Sequence, residues 1–386
     1  SLAQGDPPEH VRRAADVALR AIAPFRDDQT LEDVCQPAYT DAERSAIEPL
    51  RVTSRLRFAA LFENRAPLRI VMEACGSAHY WGRRFGRLGH TVRLLPAHDV
   101  RPYVRRNKTD RTDTAGLLEA DRCPGLSSVP VKSADQQGIQ ALHRVREHCK
   151  SARTASINLL RGLLREFGIV FARGAAQVRP AVLAALEDAD NELPMSLRHT
   201  MAAVLDQIRG CECAIAAIEA QLAQFATRDL RSQRYQQAAG VGLITATALS
   251  ASVGDIERFR SGRHFASWLG ITPREHSSGN TRRLGRMSKR GDAYLRMLLV
   301  HGARAALRAA KLRHKRGQAL DRLAHWALEV QQRHGHNKAA VALANKMARR
   351  LWAAEHHRRD FDPDHVSTRP AQRGVTATEP GRAGMH

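Results

Sequence analysis

Two aspartates, Asp110 and Asp113, open a predicted helix within the segment RRNKTDRTDTAGLLE at positions 105–119. A spacing of three places both carboxylates on one helical face, and carboxylate oxygens grouped in this way suit Mg2+ or Mn2+. Aspartate also favours the first turn of any helix, because it caps free N–H groups and complements the helix dipole. On this segment alone, a solvated helix start is the better-supported interpretation.

Positive charge around these acids, and over the whole chain, indicates a polyanionic partner. The 386 residues carry 61 Lys and Arg against 39 Asp and Glu, a formal net charge of +22. A field of this sign attracts nucleic acid, whose phosphates bind cations and release counterions. In the segment above, the cations assigned to nucleic-acid contact are Arg105, Arg106, Lys108 and Arg111.

A third acid precedes this helix in a pattern typical of an α/β layer. The apolar run 68–72 ends at Glu73 and is followed by small residues, and a strand with an acid at its carboxyl end is a common active-site arrangement. A helix and a second strand at 91–95 follow, and the β-α-β-α order predicts parallel strands. Glu73 could then converge with the two aspartates. The helix between the strands has an inward face of Tyr80, Trp81, Phe85 and Leu88.

The segment 134–235 is helical in pattern and contains an apolar seam. Its spacings of four and three residues form heptad a and d positions, and the seam is formed by Val204, Ile208, Cys211, Ile215, Ile218, Leu222 and Phe225. One helix of an intramolecular hairpin and a dimerising coiled coil explain the seam equally well. Both interpretations make the segment a spacer or an assembly element.

The carboxyl-terminal part contains a glycine turn and a basic loop. The turn Gly240-Val241-Gly242 could present backbone N–H groups to a phosphate, although Gly-x-Gly alone is weak evidence. The loop has Ser278 at its centre, and serine beside glycine is usually an ordinary turn residue. Cations that suit phosphate contact surround this serine: Arg274, Arg282, Arg283, Arg286, Lys289 and Arg290.

Other classes of protein are disfavoured by what the sequence lacks. It has no apolar run of about 18 residues and no signal-peptide pattern, so we expect a soluble cytoplasmic protein. Its six cysteines show no CxxC pair or zinc spacing, which fits reduced thiols. The sequence also contains no P-loop and no dinucleotide fingerprint.

The motifs taken together resemble a known family. They are IVMEACGSAHYWGRRFGRLGH, VRPYVRRNKTDRTDTAGLLEA, AAGVGLITATAL, VGDIERFRSGRHFASWLGITPREHSSGN and MSKRGDAYLRMLLVHGARA. In this order they resemble the DEDD transposases of the insertion-sequence one-ten family, specifically its one-one-one-one subgroup. The resemblance runs from about residue 51 to residue 362.

The resemblance implies a RuvC-like, ribonuclease-H-type α/β domain, a helical coiled-coil linker and a mainly helical transposase domain that supplies a serine. Glu73, Asp110 and Asp113 match three of the family's four metal-binding acids, and Ser278 matches its nucleophile. The family uses Mg2+ or Mn2+, a guide RNA encoded by the element, and DNA at the element ends and the target. A bacterial, nucleoid-associated homodimer or homotetramer, assembled through the linker, is expected.

The chain departs from the family at the first acid. The family places this acid on an amino-terminal strand within a Gly-Ile/Leu-Asp motif, and residues 1–50 contain no such strand. Loss of one ligand should weaken metal binding, so this polypeptide is expected to be catalytically impaired. Two other functions therefore remain open: a junction-resolving metal nuclease that cuts through water, and a nucleic-acid-binding remnant without catalysis.

Five segments are predicted: an atypical amino-terminal segment at 1–50, a partial RuvC-like domain at 51–133, a helical linker at 134–235, a transposase domain with a helix-turn-helix-like glycine turn at 236–360, and a disordered tail at 361–386.

Overall fold

A computed structural model describes residues 55–104, 110–279 and 281–365. The chain divides into two compact units. The amino-terminal unit comprises Ser1–Ile218 with Ser250–Asp255, and the carboxyl-terminal unit comprises Glu219–Leu249 with Ile256–His386. The predicted segment 1–50 lies outside the described residues. The structure is mixed α/β and mostly helical, as the fold prediction required at its coarsest level.

A two-stranded parallel sheet lies at the centre of the α/β layer. Helix α1 (Arg55–Glu63) is followed by β1 (Arg69–Glu73), α2 (Ala78–Arg87) and β2 (Thr91–Leu95). The strands pair in parallel, with Glu73 opposite Leu95. The predicted strand order and direction are therefore confirmed.

One face of this sheet is covered by an aromatic core. Ile70 and Met72 of β1 pack there against Phe58 of α1 and against Trp81 and Phe85 of α2. Side chains alternate across a strand, so the intervening Val71 faces the opposite side. The prediction that Tyr80 also points inward is wrong, because its side chain is 45% exposed. Tyr80 instead lies at the rim, where its ring contacts the edge of Trp81.

The second face of the sheet is covered by a helix that begins at the predicted aspartates. After β2 the chain forms α3 (Ala97–Val100), a 3-10 turn (Arg101–Tyr103) and α4 (Asp110–Arg122). Val71 and Leu95 pack here against Leu117 of α4. The layer is thus helix, sheet, helix.

Two long helices and a short one follow the α/β layer, and they belong to the amino-terminal unit as far as Ile218 in the last of them. These are α5 (Ala134–Glu166), α6 (Val178–Glu187) and α7 (Met195–Arg228). A capping box starts α5: the side chain of Ser133 accepts from the N–H of Gln136, whose own side chain accepts from the N–H of Ser133.

The first part of the predicted heptad seam packs within the chain itself. Val204 and Ile208 of α7 belong to a core that includes Leu160 of α5 and Val182 of α6. The helices α5 and α7 are antiparallel. Ser156 of α5 contacts Gln207 of α7, and Arg153, which is earlier in α5, pairs with Glu212, which is later in α7. For this part of the seam, the intramolecular hairpin is the correct interpretation.

Helices also dominate the carboxyl-terminal unit, which begins at Glu219 within α7 and carries an exposed β-hairpin. Its elements are α8 (Leu230–Gln236), α9 (Leu243–Val253, whose last turn belongs to the other unit), α10 (Gly262–Trp268), β3 (Pro273–Glu275), β4 (Leu284–Met287), α11 (Ala293–Lys315), α12 (Arg322–His334) and α13 (His336–His356).

The end of the described chain is held in place by hydrogen bonds. Arg350 of α13 donates to the carbonyl oxygens of Asp362 and Pro363, and Asp364 accepts from the N–H of Arg322. Residues 361–365 therefore depart from the predicted disordered tail, and the remainder of that tail lies outside the described residues. Within the described ranges, no helix is long and apolar enough to cross a membrane.

Two histidines of the amino-terminal unit are held in their neutral form. Burial is the main cause and lowers the pKa of His79 and of His143 to about 4. Lys132 acts in the same direction on His79, and Arg146 on His143. In the unfolded chain both pKa values return to about 6.5. Between these limits the unfolded chain binds more protons, so the free energy of unfolding falls as the pH drops from about 6.5 to about 4.

We expect His79→Gln and His143→Gln to reduce this loss of stability at acidic pH. The free energy of unfolding, obtained from urea titrations at about pH 7 and about pH 5, gives this loss for each variant. His148→Gln is the matched control, because His148 lies on α5 but is exposed. A difference between the two pH values that is unchanged in the double variant would contradict this account.

Candidate functional site

Glu73 stands at the carboxyl end of β1, where it is half-buried. The strand is continued past it by one hydrogen bond, from the N–H of Ala74 to the carbonyl oxygen of Leu95 (2.7 Å). Because Glu73 follows Val71 by two residues, its side chain leaves the same face of the sheet, which is the face covered by α4. The strand therefore directs the carboxylate towards the helix that carries Asp113.

The position of α4 on the sheet is fixed by a buried acid that the sequence interpretation missed. Asp121, with a side chain 7% exposed, forms ion pairs with Arg69 at the start of β1 and with Arg93 of β2. Arg93 also donates to the carbonyl oxygens of Asp121 (2.8 Å) and Leu126 (2.9 Å). The end of α4 is thus bound to the beginning of β1, and the helix runs antiparallel to the strand.

This anchor determines which residue of α4 lies beside Glu73. Four residues of a helix rise about 6 Å, and two residues of a strand advance about 6.6 Å. Every fourth residue of α4 therefore lies beside every second residue of β1. Asp121 is level with Arg69, and Leu117 packs with Val71. By one further step of the same length, we infer that Asp113 lies level with Glu73. Asp113 is 9% exposed, as expected for a side chain on the inward face of α4.

The other residues predicted around this acid pair are described in part or not at all. Asp110 is the first residue of α4, as predicted, but its side chain and that of Arg111 lie outside the described atoms. Arg105, Arg106 and Lys108 lie outside the described residues. Among the described residues, no group of three or more His, Cys, Asp and Glu side chains could hold a metal ion.

Ser278 lies on the exposed β-hairpin that β3 and β4 form, where the sequence interpretation expected a loop. The strands pair antiparallel with an irregularity between Pro273 and Glu275. At the tip, the N–H of Ser278 donates to the carbonyl oxygen of Thr281 (3.3 Å), and the reverse bond is 3.1 Å. Gly279 follows with φ +54, a conformation that suits glycine in a two-residue hairpin turn. The polar tip is thus part of regular structure.

The two serines of this hairpin have different roles. Ser277 Oγ donates to a carboxylate oxygen of Glu275 (2.8 Å) and accepts from the N–H of Arg283 (3.1 Å), so it joins the two strands. Ser278 Oγ makes no hydrogen bond to any described residue. An exposed hydroxyl without a hydrogen bond to a described residue is accessible to a substrate.

The hairpin carries its predicted cations at its surface. Arg282 lies 3.6 Å from Glu275 in an exposed ion pair. Between the hairpin and α11, Gly270 and Gly291 pack backbone against backbone, and Arg296 donates to the carbonyl oxygen of Gly291 (2.9 Å). The hairpin therefore projects from a rigid base. The predicted cations that the structure places in an exposed environment are Arg274, Arg282, Arg283, Arg286, Lys289 and Arg290.

The glycine turn before α9 has a packing function. Gly240 adopts φ +86, and a Cβ atom added to it would lie 2.3 Å from the carbonyl oxygen of Gly302 on α11. A Cβ atom on Gly302 would lie 2.0 Å from the carbonyl oxygen of Gly240. This contact explains the glycine at 240 without a ligand, whereas Gly242 is exposed and free of such contacts.

Comparisons with known proteins agree with the sequence resemblance. Residues 232–318 match the model of the transposase IS116/IS110/IS902 family. A probable family 20 transposase of Pseudomonas aeruginosa is 44% identical over 78% of this chain and 88% of its own length. The transposase for insertion sequence element IS1111A of Coxiella burnetii is 38% identical over 78% of this chain and 82% of its own.

A third relative, the transposase for insertion sequence element IS1328 of Yersinia enterocolitica, is 36% identical over 78% of this chain and 87% of its own. Identity of this degree over most of both chains is not explained by shared short motifs. The chain belongs to the IS116/IS110/IS902 transposase family and is, by family, a DNA transposase or recombinase.

Proposed function

We propose that the chain moves an insertion sequence by cutting and rejoining DNA strands, with Glu73, Asp110 and Asp113 as ligands of Mg2+ or Mn2+ and Ser278 as the nucleophile. The α/β layer is the part that we assign to a RuvC-like, ribonuclease-H-type domain. The relatives are named as transposases for insertion sequence elements, which supports the DNA of such an element as the substrate.

The observation that carries this proposal is the anchor of α4 on β1, in which Asp121 pairs with Arg69 and Leu117 packs with Val71. From this anchor we infer that Asp113 lies level with Glu73 at the carboxyl edge of the parallel sheet, where α/β proteins commonly place their ligands. Arg69 and Arg93 pair with Asp121, two helical turns away. The carboxylates at the sheet edge are thus separated from the arginines that the sheet provides, and hard oxygen donors of this kind fit Mg2+ or Mn2+.

The serine supplies the chemistry of strand exchange. A bound divalent ion would polarise the phosphodiester. Ser278 Oγ forms a bond to phosphorus while one deoxyribose oxygen leaves and takes up the proton that the serine loses. The resulting serine–DNA diester retains the energy of the broken bond, so the reverse reaction can join a new strand without another energy source. Exposed arginines of the hairpin neutralise the phosphate during this exchange.

An element-encoded guide RNA is a further part of the proposal. The charge of +22 is compatible with binding RNA and DNA together. Assembly into a homodimer or homotetramer through α5 and α7 also belongs to the proposal, and it would use surfaces other than the seam residues that pack within the chain.

A second candidate function is nucleic-acid binding without strand cleavage. It is favoured by one observation from the sequence: residues 1–50 contain no Gly-Ile/Leu-Asp motif, on which the family pattern places its first acid. Such a chain would bind DNA with strong salt dependence and give no Mg2+-dependent product.

The test of the proposal is a strand-cleavage assay on DNA that carries an element end, with and without Mg2+ or Mn2+. We expect Glu73→Gln and Asp113→Asn each to reduce cleavage by about 100-fold or more, because each removes one ligand charge. DNA affinity without metal should change by less than about twofold, since neither residue is a cation. Glu119→Gln, an exposed acid on α4, is the control. Absence of metal-dependent product in the unaltered chain would support the second candidate.

A further inference from the structure

We propose that one face of α11 binds the sugar–phosphate backbone of duplex DNA, at a surface separate from the hairpin. The face, called here the α11 ridge, consists of Arg304, Arg308, Lys311 and Lys315. This inference rests on the proposed action on DNA, but it requires neither the acid pair nor Ser278.

The ridge is straight because its residues follow the helical repeat. Spacings of four, three and four place the side chains within an arc of about 60° and over a length of roughly 17 Å. All four residues are exposed, and the opposite side of the helix is buried at Leu295 and Leu299. The cations are therefore displayed on a rigid support.

The described residues do not neutralise the charge of the ridge. Between Asp292 and Asp321 the sequence contains seven Lys and Arg but no Asp or Glu. Within the described part of the chain, no carboxylate forms an ion pair with a ridge residue; Arg304 donates to the amide oxygen of Asn337 (3.3 Å). Arg313, which points away from the ridge, is the one that lies near an acid, Asp321 (3.7 Å). Like charges held in a row without partners cost stability, and a polyanion relieves this cost.

The dimensions of the ridge match duplex DNA. One strand presents a phosphate for about every 3.4 Å of helix axis, so a row of roughly 17 Å spans about five base pairs. Its side chains are Arg and Lys, which supply many of the contacts that proteins make to phosphate oxygens. We therefore assign the ridge to the backbone of the duplex, a contact that positions DNA without reading its sequence directly.

The ridge is distinct from the hairpin that carries Ser278. Both belong to the carboxyl-terminal unit, and the base of the hairpin packs at the start of α11. Arg304 follows Ala293, the first residue of the helix, by eleven residues, a rise of roughly 17 Å. DNA bound along the ridge would thus be held at a distance from the reacting serine.

The experiment compares two variants that lose the same charge. The ridge variant combines Arg304→Gln, Arg308→Gln, Lys311→Gln and Lys315→Gln. The control variant combines Arg144→Gln, Arg165→Gln, Arg179→Gln and Arg209→Gln, exposed cations of the amino-terminal unit that also lack an ion pair within the described residues. Glutamine is a good helix former, so both variants should fold, which circular dichroism and thermal melting verify.

Fluorescence anisotropy of a labelled DNA duplex of arbitrary sequence, without divalent ions, gives the affinity from about 50 to about 200 mM salt. For the ridge variant we expect the slope of log K against log salt to decrease by about 3–4, and the affinity at 0.1 M salt to fall by about 100-fold or more. For the control variant we expect a slope change below about 1.

Equal losses in the two variants, or an unchanged slope in the ridge variant, would overturn the proposal. An RNA duplex is measured in parallel, and loss of RNA binding with retention of DNA binding would overturn the assignment to DNA. The Ser278→Ala variant keeps the ridge and should bind DNA normally. Failure of the ridge inference is thus separable from failure of the proposed chemistry.

Discussion

Ser278→Ala is expected to abolish strand exchange and to leave DNA and RNA binding within about twofold of the unaltered chain. The substitution removes one exposed hydroxyl that makes no hydrogen bond to a described residue, so the hairpin should keep its structure. If Oγ is the attacking atom, no other group forms the serine–DNA diester, and loss of the nucleophile costs several orders of magnitude in rate. The measurement is the covalent protein–DNA adduct, trapped by denaturation and resolved by gel electrophoresis.

Ser277→Ala provides the matched control for this experiment. It makes the same chemical change one residue earlier, but removes the hydrogen bonds to Glu275 and Arg283 that join the hairpin strands. We expect adduct formation to fall by less than about tenfold, because a net hydrogen bond contributes about 1 kcal/mol. Retained strand exchange in Ser278→Ala would exclude the serine mechanism. Cleavage without any adduct would instead favour a junction-resolving nuclease that uses water.

Asp121→Asn is expected to weaken metal binding although Asp121 is two helical turns from the acid pair. Asn keeps the size of the side chain but removes the charge that pairs with Arg69 and Arg93. The free energy of unfolding should fall by about 2 kcal/mol, less than for a fully buried pair because Arg69 is partly exposed. Loss of the anchor lets α4 shift against β1, and we expect Mn2+ affinity to fall by about tenfold.

Mn2+ affinity is measured by electron paramagnetic resonance at temperatures where the variant is folded. A loss of affinity under these conditions then reflects the position of α4 and not unfolding of the variant. Glu119→Gln on the same helix removes an exposed acid and should change neither quantity. Asp121→Glu retains the charge and should recover part of the affinity. Unchanged Mn2+ affinity in a destabilised Asp121→Asn variant would show that Asp121 contributes to folding alone.

The local order of the α/β layer could be predicted from the sequence because each element carries its own signal. The apolar run before Glu73 and the turn at Gly89, which has φ +87, define β1 and the end of α2. The position of Asp113 relative to Glu73 could not be predicted in this way, because it is inferred from the ion pair between Asp121 and Arg69, which are 52 residues apart in the sequence. A signal existed nonetheless: Asp113, Leu117 and Asp121 follow at intervals of four and therefore share one face of α4.

The hairpin illustrates a different limit of sequence interpretation. Residues 273–279 and 281–286 are exposed and mostly polar or basic, so neither strand shows the apolar alternation by which strands are recognised. Pairing is supported instead by the tight turn at Gly279 and by the rigid base at Gly270 and Gly291. The sequence predicted the chemistry of this segment, its serine and its arginines, but not its conformation.

The contact between Gly240 and Gly302 divides α11 into two sides of very different tolerance to substitution. On the ridge the side chains are exposed, and the hydrogen bond from Arg304 to Asn337 is the contact that a substitution would remove. On the other side, a single methyl group at either glycine would have to displace the backbone of its counterpart. An engineer who wishes to alter how tightly the chain binds DNA can therefore substitute residues along one side of α11, whereas Gly302 on its other side must remain glycine because it packs against Gly240.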